Sequence, residues 1–178
     1  MPSIQEMLTD SLRDILDAER QGVKALPRLA RAATSDELKQ ALMQHAEVTR
    51  GQVARLEQIF EMMGERARPK PCKAMQGLVE EAMQHISEHE RGNELDAVLI
   101  ASGQKVEHYE IAAYGTVRTY AEILGEQNAV SLLEKTLEEE KETDQKLTEL
   151  AEGINVEAAA AEPEHQRSAH QKSKAARM

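Results

Sequence analysis

Apolar side chains recur every three or four residues along most of this chain. The first run is Ile4, Met7, Leu8, Leu12, Ile15, Ala18, Gly22, Leu26, Leu29 and Ala33. That period is one face of an amphipathic helix, and it predicts a helix over about residues 3–33, bent at Pro27 where a backbone donor is lost. "TSDE" follows, with Thr34 as N-cap and Glu37 three residues later, a capping box. A second helix therefore begins near Ser35. Its stripe is Leu38, Leu42, His45, Thr49, Gln52, Leu56, Ile59 and Met63, and Gly64 closes it. Pro69 and Pro71 punctuate a loop, and a shorter helix follows over about 72–89. After a break at "RGNELD", Asn93 is placed to cap a third long helix over about 94–124, with Asp96 at N3 and Gly125 at its end. Asn128 is placed to cap a fourth over about 128–152, stopping at Gly153.

The links between the first and second long helices, and between the third and fourth, are almost absent. Each pair must be an antiparallel hairpin. The order is hairpin, long crossover holding a short extra helix, hairpin. It predicts an all-α, ferritin-like four-helix bundle rather than a simple up-down bundle. The bundle spans residues 1–156. Residues 157–178 lose the apolar period and read as a disordered or frayed tail.

Composition agrees with an all-helical chain: no tryptophan, one phenylalanine, and a surplus of alanine, leucine, glutamate and lysine. The formal charge of −10 gives no electrostatic reason to bind nucleic acid or an anionic membrane surface; it favours cations. No apolar run approaches the length of a membrane span and no signal-peptide pattern opens the chain, so a cytoplasmic protein is expected. The single cysteine, Cys72, excludes an internal disulfide and reads as a small semi-buried residue.

Charge changes the picture most where it falls on the oily stripes. A helix turns about 100° per residue. Glu19 then lies roughly 40° from the face centred on Ile15, and Glu107 within about 20° of the face marked by Ile100 and Ile111. Glu110 falls on the flank of that face, roughly 80° away. Glu140 and Asp144 both lie within about 20° of the stripe Leu133, Leu137, Leu147 and Ala151. Counted from the hairpin turns, Glu19 faces the level of His45, Thr49 and Gln52, and Glu107 and Glu110 face Glu140 and Asp144. Carboxylates gathered in an apolar layer cost several kcal/mol each or take up protons. A bound cation removes both penalties, and hard oxygen ligands suit iron, manganese, magnesium or calcium. The alternative for each acid taken singly is a flank residue that reaches water. Tyr114 points inward and Tyr109 outward, the latter beside His108 on a face available to a second subunit.

The stretches "DILDAERQGVKALPRLARAA", "HAEVTRGQVARLEQIFEMMGE", "CKAMQGL", "KVEHYEIAAYGT" and "LLEKTLEEEKETDQKLTELAE" resemble the bacterial YciF-type ferritin-like stress proteins, relatives of rubrerythrin. The likeness covers about residues 4–155. It implies a bundle with a carboxylate-rich metal centre, mononuclear or dinuclear iron, association into homodimers and a role in stress physiology. By that likeness Glu19 corresponds to the acid of the first helix, and Glu107 and Glu110 to the Glu-x-x-Glu of the third. The Glu-x-x-His of the wider superfamily is absent from the other two helices. Glu47 is followed by Arg50 and points about 180° away from its stripe; Glu140 is followed by Thr143 and then Asp144. The expected ligand set is therefore Glu19, His45, Glu107, Glu110, Glu140 and Asp144, with Thr49 and Gln52 as hydrogen-bonding neighbours; the sequence leaves open whether Thr49, Gln52 or Thr143 touches the metal itself. Two functions compete: oxidation of ferrous iron by oxygen or peroxide, and a non-catalytic helical scaffold holding a passive cation.

Overall fold

The computed structural model describes residues 1–161. It contains five helices: α1 (Ile4–Ala32), α2 (Asp36–Met62), α3 (Lys73–Glu88), α4 (Asn93–Ile123) and α5 (Gln127–Ala161). No strand occurs among the described residues. α1 and α2 form one hairpin and α4 and α5 the other; α1 also packs on α4, and α2 on α5, closing a four-helix ring. α3 lies in the crossover and packs across α1 and α4. This is the hairpin–crossover–hairpin order expected from the sequence. No described helix is long and apolar enough to cross a membrane.

Local chemistry sets the ends of the helices. Ser3 and Glu6 make a reciprocal capping box at the start of α1. Gly64 and Gly125 take φ of +68° and +77°, and the residue after each donates its N–H back to a carbonyl of the last turn, Glu65 to Phe60 and Glu126 to Ala121. Only glycine adopts that backbone without strain, so both helices stop there.

Three boundaries differ from expectation. Ser35, not Thr34, caps α2, its hydroxyl accepting from the Leu38 amide. The Thr34 and Ser35 amides instead donate to the two oxygens of Asp96, each at 2.7 Å. Asp96 is fully buried and thereby ties the α1–α2 turn to the first turn of α4, a task that removes it from capping its own helix. Asn93 lies inside α4, whose cap is Gly92, and its amide reaches Glu157 at 3.3 Å. Finally, α5 does not stop at Gly153. It continues because Ile154 is buried in the core against α1, α2 and α4. Residues 157–161, expected to open the frayed tail, are therefore helical; the rest of that expectation, 162–178, lies outside the described residues.

The apolar interior is split in two. One cluster, with Leu8, Leu12, Leu16, Phe60, Val117 and Leu133, fills the end near the α4–α5 turn. The other, with Leu26, Leu38, Leu42, Leu99, Ile100 and Leu147, fills the end near the α1–α2 turn. Polar residues occupy the level between them.

Candidate metal centre

The level between the clusters holds Glu19 from α1, His45, Thr49 and Gln52 from α2, Glu107 and Glu110 from α4, and Glu140 from α5. All are buried. Four of them, His45, Glu107, Glu110 and Glu140, offer ligand atoms lying within 4.8 Å of one another. Ligands on opposite sides of an iron- or manganese-sized ion stand about 4 Å apart, so this set closes on one ion with little movement.

Three of the acids, Glu19, Glu107 and Glu140, are half-satisfied. His45 Nε2 stands 3.1 Å from Glu107 Oε1. Gln52 Nε2 donates to Glu140 Oε1 at 2.6 Å. The Tyr114 hydroxyl donates to Glu19 Oε1 at 2.5 Å. The second oxygens of Glu19, Glu107 and Glu140 are buried without a hydrogen-bond partner, as is Gln52 Oε1. Orphaned carboxylate oxygens inside a protein are rare and call for an ion, a water or a proton. Three of them on three helices at one level, two belonging to the close-set group, fit a cation.

The electrostatics say the same. Burial pushes Glu19 up to about 7, with Glu107 adding to the rise and Tyr114, His45 and Arg55 opposing it. Burial also drives Glu110 and Glu140 well above the usual carboxylate range, reinforced by Glu19 and by their acidic neighbours. Burial disfavours the charged form of His45, but Glu107, Glu19 and Glu139 outweigh it and the imidazole binds its proton more tightly than usual. Without a cation the layer must therefore hold protons. A divalent ion replaces them.

Not every expected residue joins. Asp144 remains partly exposed at the α4–α5 seam, where it meets Gln104 at 3.3 Å and His108 at 3.4 Å. It sits one turn beyond Glu140 and on the outer side of α5, so its stripe position does not bring it to the cluster. Glu110 goes the other way: expected on a flank, it is buried, because α3 covers that flank of α4. Tyr109 is half-buried under the same helix rather than facing outward; its hydroxyl donates to Asp14 at 2.9 Å and lies 3.0 Å from Cys72 Sγ. Glu47 is exposed and paired with Arg50, as its angle requires. Thr49 bonds back to the His45 carbonyl, and Thr143 Oγ1 lies 3.4 Å from His45 Nδ1, so both steady the histidine rather than enter the cluster.

Two neighbours were not singled out from sequence. Arg55 pairs with Glu139, and its Nε donates to Thr136 at 3.0 Å. Gln52 Nε2 also reaches Glu139 at 3.3 Å. The signal was the spacing Gln52–Arg55 on α2, opposite the adjacent acids Glu139 and Glu140 on α5.

A family model described as a domain of unknown function (DUF892) matches residues 3–160. Protein YciF of Escherichia coli (strain K12) is 47% identical over 152 residues, which is 85% of this chain and 92% of that protein. The crystal structure of the E. coli stress protein YciF superposes with a TM-score of 0.84 at 46% identity, covering 86% of this chain and 98% of that one. YcfI from Rhodopseudomonas palustris superposes with a TM-score of 0.81 at 41% identity, covering 83% and 94%.

Proposed function

The chain belongs to the DUF892 family, and on that premise we propose that it is a stress-response protein whose bundle holds a carboxylate-rich iron centre that oxidises ferrous iron with oxygen or peroxide. The observation that carries this is the convergence of His45, Glu107, Glu110 and Glu140 within 4.8 Å, fully buried, with carboxylate oxygens left unpartnered. These four residues would hold the ion, and Glu19, on the same level, offers its free oxygen to it or to a second. Ferrous iron held there by His45, Glu107, Glu110 and Glu140 would supply one electron per ion, two ions and two protons being needed to reduce one peroxide to two waters.

The protein's part is to prepare the place. Glu110 and Glu140 bind protons in the metal-free state and release them to admit a cation. Gln52 fixes one oxygen of Glu140, which leaves the other to coordinate. Thr143 holds the Nδ1 side of His45, so Nε2 is the nitrogen directed at the cluster. With one imidazole among several carboxylates the donor set is hard and anionic, which favours the oxidised ion over the reduced one. Manganese or another divalent cation meets the same donor preferences less selectively.

The test is anaerobic loading with ferrous iron, removal of excess, and measurement of iron per chain and of oxygen or peroxide consumed. One or two ions per chain and consumption faster than free iron are expected; Glu107→Ala and Glu140→Ala should lose both. Failure to retain iron above the level of those variants would overturn the reading. A second reading, a scaffold whose acids stay protonated or hold a passive cation, draws on the bonds that already take up one oxygen each of Glu19, Glu107 and Glu140. It predicts iron retained without consumption of either oxidant, or no retention at all.

A further inference from the structure

Glu139 and Glu140 are consecutive on α5, yet only Glu140 belongs to the close-set group. Successive residues on a helix point about 100° apart. That angle sends Glu140 into the acidic level and Glu139 toward α2, where its side chain is 23% exposed. One amide of α2 spans the two. Gln52 Nε2 donates to Glu140 Oε1 at 2.6 Å and to Glu139 Oε2 at 3.3 Å. Glu139 therefore stands a single amide away from a carboxylate offered to the ion. Its charge already reaches inward, adding to the upward push on both Glu140 and His45.

Arg55 is what occupies it. Arg55 Nη2 pairs with Glu139 Oε2, the same oxygen that Gln52 reaches. Arg55 Nε donates to Thr136 Oγ1 at 3.0 Å. Thr136 is buried and lies one turn before Glu139 and Glu140 on α5, so the guanidinium grips α5 at two points. The Arg55 side chain is only 14% exposed, so solvent screens this pair little. Its positive charge also reaches the level itself, where it opposes the rise at Glu19.

Charge at this place bears on the oxidation state of an ion. The carboxylates of the level already favour a trivalent ion over a divalent one. A further acid turning in would deepen that preference and leave the oxidised ion hard to reduce again. A guanidinium that occupies the acid does the reverse: it removes a competing donor and repels a trivalent ion more than a divalent one.

Resting on the iron reading, we propose that Arg55 is a positioning residue that holds Glu139 out of the metal centre, so that the ion keeps the donor set of His45, Glu107, Glu110 and Glu140 and stays reducible. Glu139 is then a reserve ligand, free to join only when Arg55 is gone.

The test uses the full chain, loaded in one series with Mn(II) alone and in another with anaerobic ferrous iron. Mn(II) affinity is read from the EPR signal of the free ion, and the iron potential from a mediated redox titration. Arg55→Met keeps the aliphatic stem and removes the charge and the donors. It should bind Mn(II) at least fivefold tighter and raise the ratio of ferric to ferrous affinity at least tenfold, which lowers the potential by about 59 mV or more. Arg55→Lys should return both values to within threefold of the parent. So should Arg55→Met combined with Glu139→Gln, since no acid remains to turn in. An arginine that only braces the fold predicts the opposite sign: a loosened site, weaker Mn(II) binding, and no rescue by Glu139→Gln. Mn(II) binding by Arg55→Met that is weaker than the parent's or equal to it would overturn the proposal. Should Arg55→Met not fold, Glu139→Gln decides alone. With the arginine left unpaired it should weaken Mn(II) at least threefold and raise the potential; unchanged values would overturn the proposal. A parent chain that binds neither ion refutes the metal centre, and this role with it. A parent that binds both, with Arg55→Met unaltered, refutes the role of Arg55 alone.

Discussion

Tyr114 of α4 donates its hydroxyl to Glu19 of α1 at 2.5 Å, with both side chains completely buried. The bond joins the two hairpins at the acidic level. It also favours the ionised form of Glu19 against the pull of burial. Removing it with Tyr114→Phe leaves both oxygens of Glu19 unpartnered. A loss of about 1–3 kcal/mol is expected in urea unfolding of the metal-free protein. The loss should be larger at pH 8 than at pH 5.5, since the missing donor served the charged form. An equal loss at both values would mean that the phenol contributes packing alone.

Stability of the metal-free protein should fall as pH rises. Glu19 has its folded value raised from 4.5 to about 7. A raised acid stabilises the fold fully below its unfolded value and stops doing so as pH rises through the folded one. Glu19 therefore contributes roughly 3 kcal/mol below pH 4.5 that disappears by about pH 7. Glu110 and Glu140 act in the same direction and continue above it. His45, raised from 6.5, loses its contribution above that value as well. Thermal unfolding with chelator should thus give a higher Tm at pH 5.5 than at pH 8. Manganese or anaerobic ferrous iron should reverse the order, because the ligands bind metal only after losing their protons. A metal-free Tm that climbs from pH 5.5 to 8 would contradict the buried placement of these acids.

Glu110→Gln should separate binding from stability. The amide keeps the shape and removes one of the crowded acids, so the metal-free protein at pH 8 should gain about 1–2 kcal/mol. Iron retained per chain should fall at the same time. Unfolding midpoints and metal analysis on one preparation read both. A destabilised variant with normal iron would place Glu110 in the fabric of the fold rather than in the centre.

Asp96→Ala should cost about 2–4 kcal/mol, because the amides of Thr34 and Ser35 would lose charged acceptors inside the protein. Asp96→Asn should cost about half as much, since one amide oxygen still accepts. Neither change touches the acidic level, so iron per chain in the folded protein should be unaltered. Urea midpoints and metal content distinguish these outcomes.

The cysteine bears on how α3 is held. Burial pushes the Cys72 thiol up, and Tyr109 and Asp14 lie against it. Its reaction with a soluble disulfide reagent should be slow in the native protein and fast in urea. Tyr109→Phe, which removes the link through Tyr109 to Asp14, should speed the native reaction by loosening α3 from α1 and α4.

The helices, the two hairpins and the depth of the acids were legible in the sequence because they depend on local quantities. The 3.6-residue period marks the stripes, Gly64 and Gly125 mark the stops, and counting from a tight turn sets which levels meet. Glu19, His45, Glu107 and Glu140 emerged from that counting and are found at one level. Glu110 emerged from it too and is found in the cluster, although its angle put it on a flank; Asp144 did not follow it. Ile111 is only half-buried, so taking it as the marker of the α4 face rotates that face away from Glu110. The true face turns toward Glu110, Tyr114 and Val117, since α4 is covered on three sides, by α1, α3 and α5.

What the chain alone determined was periodicity, capping and charge: an acidic all-helical bundle with carboxylates at mid-height. What the tertiary structure decided was which flank of each helix is covered. A stripe gives an angle, but burial at its edges depends on neighbours remote in sequence. α3 covers Glu110 and half-covers Tyr109, while Asp144 at the α4–α5 seam stays partly exposed. The pairing of Gln52 and Arg55 with Glu140 and Glu139 likewise exists only once the two hairpins are packed, because its partners are more than eighty residues apart.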